Sequence, residues 1–136
     1  MIRYFILSLS MCLAACQSQT QPKFINGLQK AQIEIVTTPE QQQIGLMNRA
    51  QLAADSGMLF VFEQTKQPCF WMKNTLIPLT VGFIDERGVL LQTIDMQAQT
   101  LNTHCANTPV RYALEMNQGW FARQNINVGT QILNIP

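Results

Sequence analysis

The chain has 136 residues, 47% of them hydrophobic and only 12% charged, with a formal net charge of +1. That length supports one small domain with a single core. The near-balanced charge, without any basic run, argues against nucleic-acid binding, which is dominated by neutralisation of phosphates.

In chain order, the first segment reads as an address. Arg3 supplies positive charge and Tyr4 to Ala15 form a short apolar run that ends in small residues. A membrane-spanning helix needs ~20 apolar residues, so this run fits the hydrophobic region of a secretory signal peptide over 1–15. Leu13-Ala14-Ala15-Cys16 resembles a bacterial lipobox. The resemblance implies cleavage before Cys16, a diacylglycerol on its sulfur and an acyl chain on its nitrogen, and several chains together give stable anchoring. The plainer alternative is an ordinary signal with a chance cysteine. Gln17 stands where an Asp usually retains such lipoproteins in the inner membrane, which points to the outer membrane, facing the periplasm. Loss of Arg3 with the signal leaves 8 basic and 8 acidic residues.

Residues 16–30 are polar at first, Gln-Ser-Gln-Thr-Gln-Pro, and read as a lipidated cysteine followed by a flexible tether. The folded domain is expected over 31–136. Ala31 to Thr37 alternates apolar and polar residues and predicts a half-buried strand. Thr38-Pro39-Glu40 is a helix start, with Thr38 as cap, and the helix should end near Asn48-Arg49. Met58 to Phe62 is a continuous apolar run, hence a buried strand. Leu76 to Asp85 is the longest strand candidate, with Pro78 confined to its start or to an edge. Glu86-Arg87-Gly88 predicts a hairpin turn that returns as Val89 to Met96. Gln97 to Thr108 is a long polar loop, a class that often carries function. Val110 to Met116 alternates again, Gly119 to Asn125 predicts one or two helical turns, and Gln131 to Ile135 closes the sheet. The sum is a mainly β domain: a small antiparallel β sandwich or partly closed barrel with one or two short helices.

Of four cysteines, Cys12 lies in the signal and Cys16 at the lipid site, which leaves Cys69 and Cys105. Outside the cytoplasm these are most simply a disulfide. The alternative is a thiol or metal pair helped by His104.

Several motifs in order resemble one family, the bacterial and archaeal domain of unknown function 192. They are Gly45-Leu46-Met47-Asn48-Arg49, Gly57 to Phe62, Phe70-Trp71-Met72-Lys73-Asn74-Thr75-Leu76-Ile77-Pro78-Leu79, Phe83-Ile84-Asp85, and Tyr112 to Trp120. The resemblance covers nearly all of the folded part. It implies a single β-rich domain, often exported and lipid-anchored, and it implies no activity. Two departures stand out: Thr80 replaces an acidic residue that often follows Pro-Leu, and Gln42 or Gln43 stands where an Arg often precedes Gly-Leu-Met.

Polar residues set in these motifs are the site candidates: Arg49, Trp71, Lys73, Asn74, Asp85 and Glu115. Lys73 and Arg49 could hold a carboxylate or phosphate in a cleft, with Glu115 as partner. The bland reading is that Lys73 and Glu115 form a structural ion pair and Asn74 ties down a turn. Phe70, Trp71 and Trp120 could present rings to a sugar or peptidoglycan, or lie in the core. Met47, Met58, Met72, Met96 and Met116, with His104, raise a copper reading, against which gap-filling in the core is the simpler role. With one His, any nucleophilic triad must use His104. Asp85 with Asp95 or Glu115 could make an acid/base pair, although no spacing selects them.

Two function classes follow. The first is a non-catalytic envelope lipoprotein that binds a small ligand, envelope polymer or protein partner at a cleft lined by Phe70 to Thr75. The second is a periplasmic hydrolase or transferase using Glu115 and Asp85 with Lys73. No metal or cofactor is expected, the membrane is met through the lipid anchor alone, and the protein is expected to be a monomer.

Overall fold

The central element is β3, Ser56–Lys66, which is longer than its apolar run because the polar residues Glu63 to Lys66 continue the strand. It pairs in parallel with β2 (Gln32–Val36) and antiparallel with β8 (Val110–Asn117). Next to β8 lie β5 (Leu79–Ile84) and β6 (Leu90–Met96), giving one five-stranded sheet in the order β2-β3-β8-β5-β6. The computed structural model describes residues 21–25 and 28–135. The expected signal peptide and the lipidation site Cys16 lie outside the described residues.

The mainly β reading holds, and the described sheet is not a closed barrel. One edge departs from the antiparallel expectation. A parallel pair needs a crossover, and the segment between β2 and β3 provides it with helix α1 (Pro39–Ile44). Thr38 caps α1 through a full capping box: its hydroxyl accepts from Gln41 N while the Gln41 side chain accepts from Thr38 N. The helix stops earlier than expected, at Gly45, whose φ of +50° breaks the helical path.

Two further corrections concern segments read as irregular. Lys23–Phe24 forms β1, paired with β9 (Leu133–Asn134), and Leu28 is buried, so the expected tether does not extend to residue 30. Within the polar loop after β6, His104–Cys105 forms β7 and pairs with β4 (Cys69–Phe70). In this register Cys69 lies directly opposite Cys105, and the two form the expected disulfide.

Strand residues alternate between the two faces of the sheet, and each face has its own core. One core gathers Met58, Phe60, Phe62, Val81, Phe83 and Ala113 beneath Leu46 and Met72. The other gathers Leu59, Ile84, Tyr112, Leu114 and Met116 beneath Leu28, Phe121 and Ile132. Helix α2 (Trp120–Arg123) covers this second face and sets Trp120 and Phe121 into it. Trp120 is therefore a core residue, as are Met58, Met72, Met96 and Met116. Burial of these unbranched side chains is the gap-filling role.

Candidate functional site

The first face is not fully covered. Between α1 and the stretch Gln67–Trp71 runs a hollow of about 440 Å³. Its floor is Phe60 and Phe62 from β3, one wall is Pro39, Gln42 and Gln43 from α1, and the other ends in Phe70 and Trp71. The disulfide partner Cys69 lies in that second wall, so the covalent link to Cys105 fixes the wall in place. Phe70 meets Phe60 edge-to-face at 5.0 Å and Phe83 at 5.8 Å, which holds its ring between floor and wall.

Two glutamines in the walls are oriented by the backbone. Gln42 Nε2 donates to Val61 O at 2.8 Å, and Gln67 Nε2 donates to Asn107 O at 3.1 Å and Ala106 O at 3.3 Å. Each amide nitrogen is thereby engaged, which leaves Oε1 as the acceptor available to a ligand. The single cation in the lining, Lys66, sits with its Nζ 4.4 Å from the centre of the Phe62 ring.

A second, smaller hollow of about 30 Å³ shares Gln42, Gln43, Phe60, Phe70 and Trp71 with the first and reaches down to Thr75 and Glu115. Glu115 stands on β8 between Met58 of β3 and Val81 of β5. It is only 4% exposed, and among the described residues no group hydrogen-bonds or ion-pairs with its carboxyl. Burial penalises the charged form and pushes its carboxyl up to about 8.

The expected ion pair between Lys73 and Glu115 is absent among the described residues. The reason is local. Met72 points inward and is fully buried; the chain then turns through Asn74, whose φ is +54°, and Thr75 N closes the turn on Met72 O at 3.1 Å. Lys73 and Asn74 are carried to the outside, where Lys73 Nζ lies 5.4 Å from the centre of the Trp71 ring. The Asn74 backbone has a tying role: its carbonyl accepts from Asn48 N at 2.8 Å.

Arg49 is also engaged elsewhere, in a two-pronged ion pair with Glu34 of β2. That pair raises the arginine's pKa and lowers the Glu34 carboxyl below its ordinary range. Asp85 lies in the hairpin turn, where it accepts from the backbone nitrogens of Arg87 and Val89, both at 2.9 Å, and from the Arg87 guanidinium. Asp95 accepts from the Thr80 hydroxyl at 2.6 Å, on the face opposite Glu115. Asp85, Asp95 and Glu115 therefore do not assemble into a carboxylate pair. Of the six candidates, the fold brings Trp71 and Glu115 to one hollow and keeps Arg49 and Asp85 in structural contacts of their own.

His104 is half-buried, and its Nε2 has no hydrogen-bond partner among the described residues. Among the described residues no group of three or more His, Cys, Asp or Glu could hold a metal ion. Sequence reading missed Gln42 and Gln67 as wall residues, because neither stands out until the β4–β7 pair sets Gln67 across from α1.

The comparisons with known proteins agree with this fold. The family described as "Uncharacterized ACR", domain of unknown function 192, matches residues 22–133. A crystal structure from Sinorhizobium meliloti, of a protein provisionally named a transcription regulator, is similar at 35% identity and a TM-score of 0.72, over 74% of this chain and 78% of that one. A crystal structure of a protein of unknown function from Novosphingobium aromaticivorans is similar at 30% identity and a TM-score of 0.71, over 74% and 72%. No curated protein matches the chain.

Proposed function

The chain belongs to domain of unknown function 192, and from that premise we propose that it is a non-catalytic binding module of the bacterial envelope, lipidated at Cys16 and held at the outer membrane, that takes a saccharide-like ligand in the cleft between α1 and Trp71. The carrying observation is the pairing of ring faces with free acceptors. Phe60, Phe62, Phe70 and Trp71 supply apolar surface, and Gln42 and Gln67 have their nitrogens spent and, among the described residues, their carbonyl oxygens unspent. A ligand that meets both needs has an apolar side and many hydroxyl donors, which is the chemistry of a sugar ring. Trp71 is 43% exposed and Ile44 61%, an apolar rim that water contacts until a ligand covers it.

Nucleic acid is not the ligand favoured. The regulator name belongs to the Sinorhizobium protein, and the charge of this chain is near balance, without a cluster that would neutralise phosphates.

Trp71 reports binding in the wild type, since Trp120 is buried, and calorimetry measures the same ligands in wild type and Trp71→Ala. Soluble peptidoglycan and glycan fragments are titrated against tryptophan fluorescence. Binding that weakens roughly tenfold or more in Trp71→Ala supports the reading; equal binding by wild type and Trp71→Ala overturns it. Radiolabelled palmitate incorporation, lost in Cys16→Ser, tests the anchor.

One observation favours a second reading. Glu115, held at about 8 by burial, has the proton affinity of a general acid working near neutral pH. No second carboxylate lines either hollow, so a two-carboxylate hydrolysis lacks its partner. Turnover of the same fragments by wild type and none by Glu115→Gln would favour an enzyme.

A further inference from the structure

The unpartnered carboxylate at the base of the cleft has no part in the binding reading above. A buried side chain of this kind ordinarily pairs with a cation or spends its oxygens on hydrogen bonds. Glu115 does neither among the described residues, although it is 96% shielded from solvent (4% exposed) and lines a hollow that adjoins the main cleft. Its lining mixes aromatic and amide side chains, Phe60, Phe70, Trp71, Gln42 and Gln43, with aliphatic ones such as Leu46 and Met47. No other ionisable side chain lines that hollow.

We infer that the hollow over Glu115 is a subsite for a primary ammonium group, carried by a ligand whose remainder lies along the cleft between α1 and Trp71. This rests on the cleft being a binding site. Three features select the ammonium. Its charge supplies the partner the carboxylate lacks. Phe60 and Phe70 line the hollow, and a ring face turned to the ligand favours a cation over an anion. The volume of about 30 Å³ exceeds the ~10–15 Å³ that one water needs and is far below that of a whole sugar or a guanidinium with its stem. A carboxylate or phosphate would face a buried acid and no cation at this depth.

Binding at this subsite carries a proton signature. The free carboxyl, at about 8, is mostly protonated at pH 7, and pairing with an ammonium requires the ionised form. Binding at pH 7 therefore releases about 0.9 proton per ligand, and affinity rises about tenfold between pH 6 and pH 7.

The experiment compares amines with the alcohols they replace. Glucosamine and glucose form one pair, n-butylamine and n-butanol the other, each titrated calorimetrically at pH 7 in two buffers of different ionisation enthalpy. The amine of at least one pair should bind at least tenfold tighter than its alcohol and release close to one proton. Preference for glucosamine alone identifies an amino sugar, and preference for butylamine alone an aminoalkyl chain. Glu115→Gln, which keeps the shape and removes the charge, should erase the preference and the proton release.

Amines that bind no tighter than their alcohols overturn the subsite, as does a preference that survives in Glu115→Gln. The two readings fail separately. Glycan fragments that bind in a Trp71-dependent manner without amine preference leave the cleft and remove the subsite. Amine preference that is lost in Glu115→Gln and indifferent to Trp71→Ala keeps the subsite and removes the saccharide reading.

Discussion

The indole nitrogen of Trp120 donates to the carboxylate of Asp55 at 2.9 Å. The bond joins the start of α2 to the loop that leads into β3, across 65 residues of chain. Trp120 is buried while Asp55 is exposed, so the carboxylate acts as a solvated clamp on a core ring. Asp55→Ala leaves a buried N–H without its acceptor and should cost about 1–3 kcal/mol, read as a lower denaturant midpoint at unchanged slope. An unchanged midpoint would show that water replaces the carboxylate.

Gly82 of β5 lies close beneath Phe121 of α2. A Cβ there would lie 2.7 Å from Phe121 Cζ and 2.9 Å from Leu90 Cδ1. Gly82→Ala should therefore overpack the second core and destabilise by about 1–3 kcal/mol. Pairing it with Phe121→Leu should recover part of the loss, which a double-mutant cycle measures.

Stability should fall as pH rises through the neutral range. Glu115 ionises at its ordinary value near 4.5 when unfolded and at about 8 when folded. Below 4.5 both states are protonated and the group contributes nothing adverse. Between the two values only the native state holds the proton, and stability drops by up to about 1.4 kcal/mol per pH unit. Glu115→Gln should flatten this slope and exceed wild type in stability at pH 8, as followed by thermal melts across pH. A wild-type profile as flat as that of the variant would contradict the burial of a free acid.

Reduction of Cys69–Cys105 should act on both stability and the cleft. The link spans 36 residues, for which loss of the constraint on the unfolded chain corresponds to ~4 kcal/mol. Because Cys69 lies in the cleft wall, Cys69→Ala with Cys105→Ala should also weaken any ligand reported by Trp71. Denaturation with and without reductant, and the same fluorescence titration, separate the two effects.

Legibility in the sequence followed the range of the physics involved. Thr38 and Pro39 announced α1, and the capping box forms within four residues of chain. The alternation of Gln32–Val36 and the apolar run from Met58 to Phe62 announced their strands, since a strand's side-chain period is local. The β4–β7 pair was not legible: each strand is two residues long and has no periodicity, and only the disulfide across it marks the pairing. Lys73 reads as a cleft residue because it sits among apolar residues in sequence. The Met72–Thr75 turn reverses that placement by burying Met72 and carrying its neighbour outward.

Composition and local pattern by themselves determined that this is a small, mainly β domain with two cysteines left to pair, a capped first helix and near-balanced charge. These are properties of neighbours along the chain and of residue types. Only the tertiary structure decided that β2 joins the sheet in parallel, that Glu34 takes Arg49 and Asp85 takes its own turn, and that the Glu115 carboxyl has no partner among the described residues where it shares a hollow with Phe60, Phe70 and Trp71. Which partner a charged side chain finds depends on strand order and on which face it occupies. Both are set by packing between segments tens of residues apart.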